Sequence, residues 1–201
     1  MSRVGPLNPG PVRLAPKLSL SDLLWIANTR HGPGGHWFAR GSDDVGDHDH
    51  LVDYAHAVRY LTDHHVALPS DDVQPNHLGS LAEIREMVRG LVDPTADWTP
   101  SVLSILEGAG FRIDPDGSLV SARSGWDAFI EDLMLPLLQL VEVRTRVRTC
   151  ANPSCRLMFL DLSRNRARIW CDNAGCGNRA RVRRYRSRAK AADLTAATDS
   201  T

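Results

Sequence analysis

The chain has 201 residues, 42% of them hydrophobic, and a formal net charge of zero at pH 7. That length accommodates one compact domain plus a small module, and no apolar run approaches the roughly 20 residues a membrane-spanning helix needs. The zero is a cancellation: residues 1–143 carry ten Lys/Arg against twenty acids, a net charge of −10, and residues 144–190 carry fourteen against two, a net charge of +12. A basic module joined to an acidic one points to a polyanionic partner for the basic part.

In chain order, residues 1–17 hold Pro6, Pro9, Pro11 and Pro16 with two glycines and read as a flexible arm. No apolar run of a signal peptide occurs between Met1 and Leu14, so a cytoplasmic protein is expected. Ser19 to Asn28 reads as a helix with Ser19 or Ser21 as N-cap and Asp22 in its first turn. Asn28, Thr29 and Arg30 end it beside a glycine-rich loop; they are the candidate ligand-binding groups, with a plain helix cap as the competing reading. Asp43, Asp44, Asp47, His48, Asp49 and His50 invite a metal-site reading, but no ligand spacing sets a geometry, and a hydrated loop is the expectation. Helices are predicted over Leu51–His65, Asn76–Val92 and Thr99–Glu107. On the second of these, Glu83, Arg85, Glu86 and Arg89 read as a solvated flank. A hairpin is predicted at 110–122 around Pro115-Asp116-Gly117. A long helix from Trp126 to Arg146, kinked at Pro136, should then run straight into Cys150.

All four cysteines follow: Cys150-Ala-Asn-Pro-Ser-Cys155, fifteen residues, then Cys171-Asp-Asn-Ala-Gly-Cys176. Two closely spaced pairs separated by a loop suit a tetrahedral site, each pair supplying two corners. Asn152-Pro153-Ser154 and Asp172 to Gly175 are turn formers that let the chain bend round an ion. One structural zinc is the favoured occupant, because four thiolates leave no position for a catalytic water. Iron, an iron–sulfur cluster and two disulfides stay open as alternatives.

The basic residues fall in two groups. Arg164, Arg166 and Arg168 lie between the cysteine pairs, at the expected tip of a hairpin formed by Leu157–Leu160 and Ile169-Trp170. Asn178, Arg179, Arg181, Arg183, Arg184 and Arg186 begin a predicted helix running to Lys190, with Val182, Tyr185 and Ala189 as its inward stripe. Knuckle, hairpin and helix in that order make a treble-clef-like finger. Guanidinium groups so arranged suit phosphates and guanine edges.

Cys176-Gly177-Asn178-Arg179 after an earlier Cys-x4-Cys, with Phe159-Leu160-Asp161 and Trp170-Cys171 between, resembles the CGNR zinc-finger family. In that family the finger follows an N-terminal ABATE domain. Asp22 to Arg30, with Ala27-Asn28-Thr29-Arg30, resembles the opening helix of that domain and its Asn-Thr signature. The resemblance implies a stress-induced bacterial transcription regulator.

The expected fold is α+β: a flexible arm (1–17), a mainly helical ABATE-like sensor domain with a β-hairpin (18–143), a CGNR-type zinc finger (144–190) and a flexible tail (191–201). The expected function is DNA-binding transcription regulation, the finger gripping DNA and the N-terminal domain sensing a small-molecule effector or a partner. RNA binding and docking on an acidic protein, including another copy of the chain, are the alternatives. A single finger contacts few base pairs, so specific recognition is expected to require a homodimer or further contacts. The sequence holds no phosphate loop, nucleophile elbow or metalloprotease helix, which argues against an enzyme.

Overall fold

Ser19 opens the first helix, α1 (Leu20–Ala27), with a reciprocal cap. Its hydroxyl accepts from the Asp22 N–H at 3.2 Å, and the Asp22 carboxylate accepts from the Ser19 N–H at 2.7 Å. The computed structural model to which this helix belongs describes residues 17–32, 48–91 and 108–198. The proline-rich arm, the Asp43–Asp47 stretch and the helix predicted over Thr99–Glu107 lie outside the described residues. Two short strands follow α1, β1 (Arg30–His31) and β2 (His48–Asp49), paired antiparallel with His31 opposite His48. Then come α2 (Tyr54–Asp63), capped by Asp53, and α3 (Pro75–Gly90), which has Pro75 in its first turn. Strands β3 (Phe111–Ile113) and β4 (Leu119–Ser121) form the expected hairpin, closed by Gly117 at φ +86°.

The helix predicted over Trp126–Arg146 is instead two helices, α4 (Gly125–Asp132) and α5 (Met134–Glu142), with the break at Leu133. Pro136 has no N–H to give the Asp132 carbonyl, and its ring presses on that carbonyl, so the break falls just before it. Nor does the helix run into Cys150. One 3-10 turn (Arg144–Arg146) and a strand, β5 (Val147–Thr149), come between. Strand β6 (Met158–Leu160) pairs with β5 in the register Val147↔Leu160, Arg148↔Phe159 and Thr149↔Met158. The partner of this strand is therefore upstream, not at Ile169-Trp170 as predicted. Ile169 contributes a carbonyl that accepts from the Ala151 N–H at 2.8 Å.

The main core forms around α1. Leu23 and Ile26 are fully buried with Leu61 of α2, Leu81 of α3, Leu133, and Leu137 and Leu140 of α5. Val147 and Met158 of the β5–β6 hairpin belong to the same core, and Leu160 packs against it. Leu157 and Phe159 face the other way, into a small cluster with Cys150, Cys155 and Cys176. Strand alternation thus makes β6 a wall shared by two cores. The arginines assigned to a solvated flank of α3 are structural. Arg85 is buried and pairs with Asp49 at 2.7 Å, while Arg89 donates to the Ala27 and Arg30 carbonyls at 3.2 and 3.1 Å.

Two contacts fasten α1 and β1 to the cysteine-bearing segment. The buried Asn28 amide donates to the Met158 carbonyl at 2.9 Å and accepts from the Met158 N–H at 2.7 Å, doing for β6 what a neighbouring strand would. The Gly32 N–H donates to the Cys155 carbonyl at 2.9 Å, and a Cβ on Gly32 would stand 2.5 Å from the Ser154 carbonyl oxygen, so any side chain there pushes the two segments apart. Asn28→Ala would leave two buried backbone groups of β6 unpaired. We expect it to lower unfolding stability by about 2–4 kcal/mol in urea denaturation followed by circular dichroism.

Candidate metal centre and basic surface

The first cysteine pair is shaped by Asn152. Its carbonyl accepts from the Cys155 N–H at 2.8 Å, and its side-chain oxygen accepts from the Ser154 N–H at 3.4 Å, an Asx turn that brings Cys150 and Cys155 to one side. The second pair is shaped by Asp172, whose carboxylate accepts from the Ala174 and Gly175 N–H groups and starts a single wide turn, Asn173–Gly177. That turn carries Cys176 and leads into the last helix, α6 (Asn178–Thr198). Gly177 lies under Trp170, where a Cβ would be 3.1 Å from the indole.

The four sulfurs lie within 4.8 Å of one another. Cys155 Sγ to Cys171 Sγ and Cys171 Sγ to Cys176 Sγ are both 3.7 Å. A regular tetrahedron with Zn–S of about 2.3 Å has edges of about 3.8 Å, so two edges have the length a zinc site needs and none exceeds it by more than about 1 Å. Hydrogen bonding among the thiols pulls the Cys150 pKa down to about 2, pushes Cys155 up to about 12, and raises Cys171 as well. Packed this closely, the sulfurs share protons that a dication would replace. Outer groups complete the site: Arg179 donates to Cys176 Sγ at 3.2 Å, and Asn152 Nδ2 lies 3.7 Å from the same sulfur. The thiolate raises the Arg179 pKa, first through that hydrogen bond.

Between the pairs, the chain from Asp161 to Arg168 wraps a buried carboxylate. Asp161 accepts from the Ser163 N–H at 2.9 Å, the Ser163 hydroxyl at 2.5 Å and the Arg168 N–H at 3.1 Å, with Arg148 Nε at 3.5 Å. These hydrogen bonds, led by the one from the Ser163 hydroxyl, hold its pKa below the usual carboxylate value. The turn expected at Asn152-Pro153-Ser154 is present, whereas the sequence marks Asp161 only as part of the Phe159-Leu160-Asp161 motif, and its role in the loop depends on Ser163 and Arg168.

The predicted basic residues divide by role. Arg168 is fastened inside the finger, donating to the Trp170 and Cys171 carbonyls and lying 4.8 Å from the Phe159 ring centre. Arg179 serves Cys176, and Arg181 donates to the Asn173 carbonyl at 3.1 Å. Arg164, Arg166, Arg183, Arg184 and Arg186 are exposed, and their guanidinium groups have no protein partner among the described residues. Asn178 is exposed at the start of α6. The inward stripe predicted for this helix does not pack: Val182 is 41% and Tyr185 75% exposed. From Arg181 to Ala191 every residue of α6 is exposed, and the helix continues to Thr198 through residues assigned to a tail.

Of the three candidate ligand-binding residues, two are committed internally. Asn28 holds β6, and the Thr29 hydroxyl, fully buried, donates to the Ile26 carbonyl at 2.7 Å. Arg30 is exposed on β1. Beside Asn28 lies a mostly apolar cavity of about 730 Å³, walled by Leu18, Leu24 and Trp25 on one side and Leu157, Met158 and Phe159 on the other.

Residues 146–189 match the CGNR zinc finger. The matched segment spans β5, β6, the four cysteines and the first part of α6, and the cysteines are positioned to hold one zinc ion. No curated protein matches the chain. Among the described residues no helix is long and apolar enough to cross a membrane. Cys176→Ala removes one corner of the tetrahedron, and elemental analysis should show purified variant protein holding close to one zinc per chain less than wild-type protein prepared in the same way. Because thiolates bind metal and thiols do not, wild-type protein should release its zinc as pH falls, with a chromogenic chelator as the readout.

Proposed function

We propose that this protein is a DNA-binding transcription regulator built as an ABATE-like sensor domain and a treble-clef zinc finger. The observation that carries the reading is α6: a 21-residue helix, about 31 Å long, that leaves the zinc ligands and displays arginines to solvent around most of its girth. Seven Lys/Arg between Arg179 and Lys190 with no acid among them repel one another. A polyanion relieves that repulsion, and the width of the DNA major groove, about 12 Å, admits a helix. The exposed Arg164 and Arg166 extend the basic surface along the loop organised by Asp161. Zinc in this reading is structural, setting the angle at which α6 leaves the finger.

The sensing half rests on β6. An effector in the 730 Å³ cavity would press on Met158 and Phe159, one of which faces the main core and the other the zinc cluster. The cavity lining favours an apolar small molecule.

Tyr185 supports a second reading. An exposed aromatic ring among arginines suits stacking on unpaired bases, which would direct the same helix to single-stranded RNA. Anisotropy of labelled duplex DNA across a salt series, with single-stranded RNA as competitor, separates the two. The expected result is DNA binding that weakens steeply with salt, each phosphate contact adding about 0.9 to the log–log slope. Arg183→Glu with Arg184→Glu, both distant from the zinc ligands, should reduce affinity at least about tenfold and flatten that slope by about two. Absence of DNA binding at low salt by the zinc-loaded protein would reject the reading, and displacement by RNA would favour the second.

A further inference from the structure

We infer that the N-terminal domain carries a second metal site, for a divalent transition ion, formed by His31, His48 and His50. The loop reading of the His-rich segment does not describe what β1 and β2 bring together. His48 and His50 stand two residues apart, and His31 lies opposite His48 in the ribbon, so the three imidazoles share one face. Their ring centres are 5.2 Å (His31–His50), 5.3 Å (His31–His48) and 6.1 Å (His48–His50) apart. Three imidazoles radiating from one tetrahedral ion at about 2.0–2.1 Å have ring centres about 5 Å apart. His31–His50 and His31–His48 match that figure, while His48–His50 exceeds it by about 1 Å, so the half-buried His48 ring has to turn for one of its nitrogens to reach the ion.

Hydrogen bonding at His31 points the same way. Its Nδ1 lies 2.8 Å from the Gly32 carbonyl oxygen, which can only accept, so Nδ1 carries the hydrogen and the neutral ring presents its Nε2 lone pair inward. A backbone carbonyl on the far nitrogen is the usual outer support of a metal-bound imidazole. That Nε2 is 3.1 Å from Nε2 of His50. Two nitrogens on one tetrahedral ion would be about 3.3 Å apart. Without an ion, His50 Nε2–H donates to His31. With one, His50 moves its hydrogen to Nδ1, and both Nε2 lone pairs face the metal.

The surroundings hold the triad in place. His31 is 2% exposed, His50 stacks on the buried Tyr60 with ring centres 4.2 Å apart, and Tyr60 donates to the Asn28 carbonyl at 2.9 Å. Asp49, between the two β2-side histidines, is tied to Arg85 at 2.7 Å and to the Leu51 N–H at 3.0 Å. Three imidazoles leave an open fourth position, unlike the closed thiolate site. Imidazole ligands favour zinc, copper, nickel or iron over calcium and magnesium. The inference is independent of what α6 binds.

The test uses the full chain with the finger already filled with zinc. Equilibrium dialysis against buffered zinc, read by elemental analysis, should give two ions per chain for the wild type. His50→Gln and His48→Gln should each keep the finger zinc and the far-ultraviolet spectrum. Each should weaken the second site by more than the roughly 10–100-fold that losing an outer-shell partner costs. A second readout needs no variant: one further equivalent of Co2+ should add d–d absorption without a sulfur-to-cobalt charge-transfer band. One ion per chain at saturation, or a second ion held equally well by both variants, would overturn the site, as would a second cobalt spectrum showing thiolate or water ligands alone.

Discussion

Strand β6 faces two ways, and the arrangement of the molecule depends on that. Met158 and Leu160 close the helical core, while Leu157 and Phe159 close the cysteine cluster. Because alternate side chains point to opposite faces, neither core can shift along the strand without moving the other. The Asn28 amide fixes the strand from the helical side by taking both backbone groups of Met158, a contact that spans 130 residues of sequence. The boundary between residues 143 and 144 marks a change in charge and is not a physical seam, since Val147 is already part of the main core.

Charge is separated from packing in the second half of the chain. Arginines close to the four cysteines are tied down, Arg168 to backbone carbonyls, Arg179 to a sulfur and Arg181 to the wide turn. Further along α6 the cations have no such partners among the described residues, and the helix shows solvent a tyrosine and a valine as well. A helix that is polar nearly all round and not packed along its length draws its stability from its first turn and from whatever binds it. The zinc cluster supplies the first of these.

What the sequence revealed follows from the range of each interaction. The four cysteines were legible because their spacing is itself the geometry of the site. The Ser19–Asp22 cap and the 111–121 hairpin were legible because their partners lie within a few residues. Asn28 left two readings open, helix cap or ligand group; it caps α1, and its further hold on Met158, 130 residues away, has no signal in the sequence. β5 was missed for the same reason: three residues in a basic run carry little periodicity, and only pairing with β6 makes them a strand. Val182, Tyr185 and Ala189 show the opposite error, a correct helical period with no surface opposite it. Arg85 looked solvated because its partner Asp49 comes from a distant strand.

The Gly32–Cys155 contact bears on how the finger assembles. One cysteine pair sits on backbone that the helical core, Asn28 and Gly32 already hold, while the other pair follows a loop and leads into a solvent-exposed helix. Isolated zinc fingers must order all four ligands when the ion arrives. In this chain half of the coordination sphere is preorganised by folding elsewhere, so the entropy of closing the site falls mainly on the segment from Asp161 to Asn178. Metal capture then acts as the docking of one half-site onto another, and the position of α6 becomes the part of the structure most directly governed by the ion.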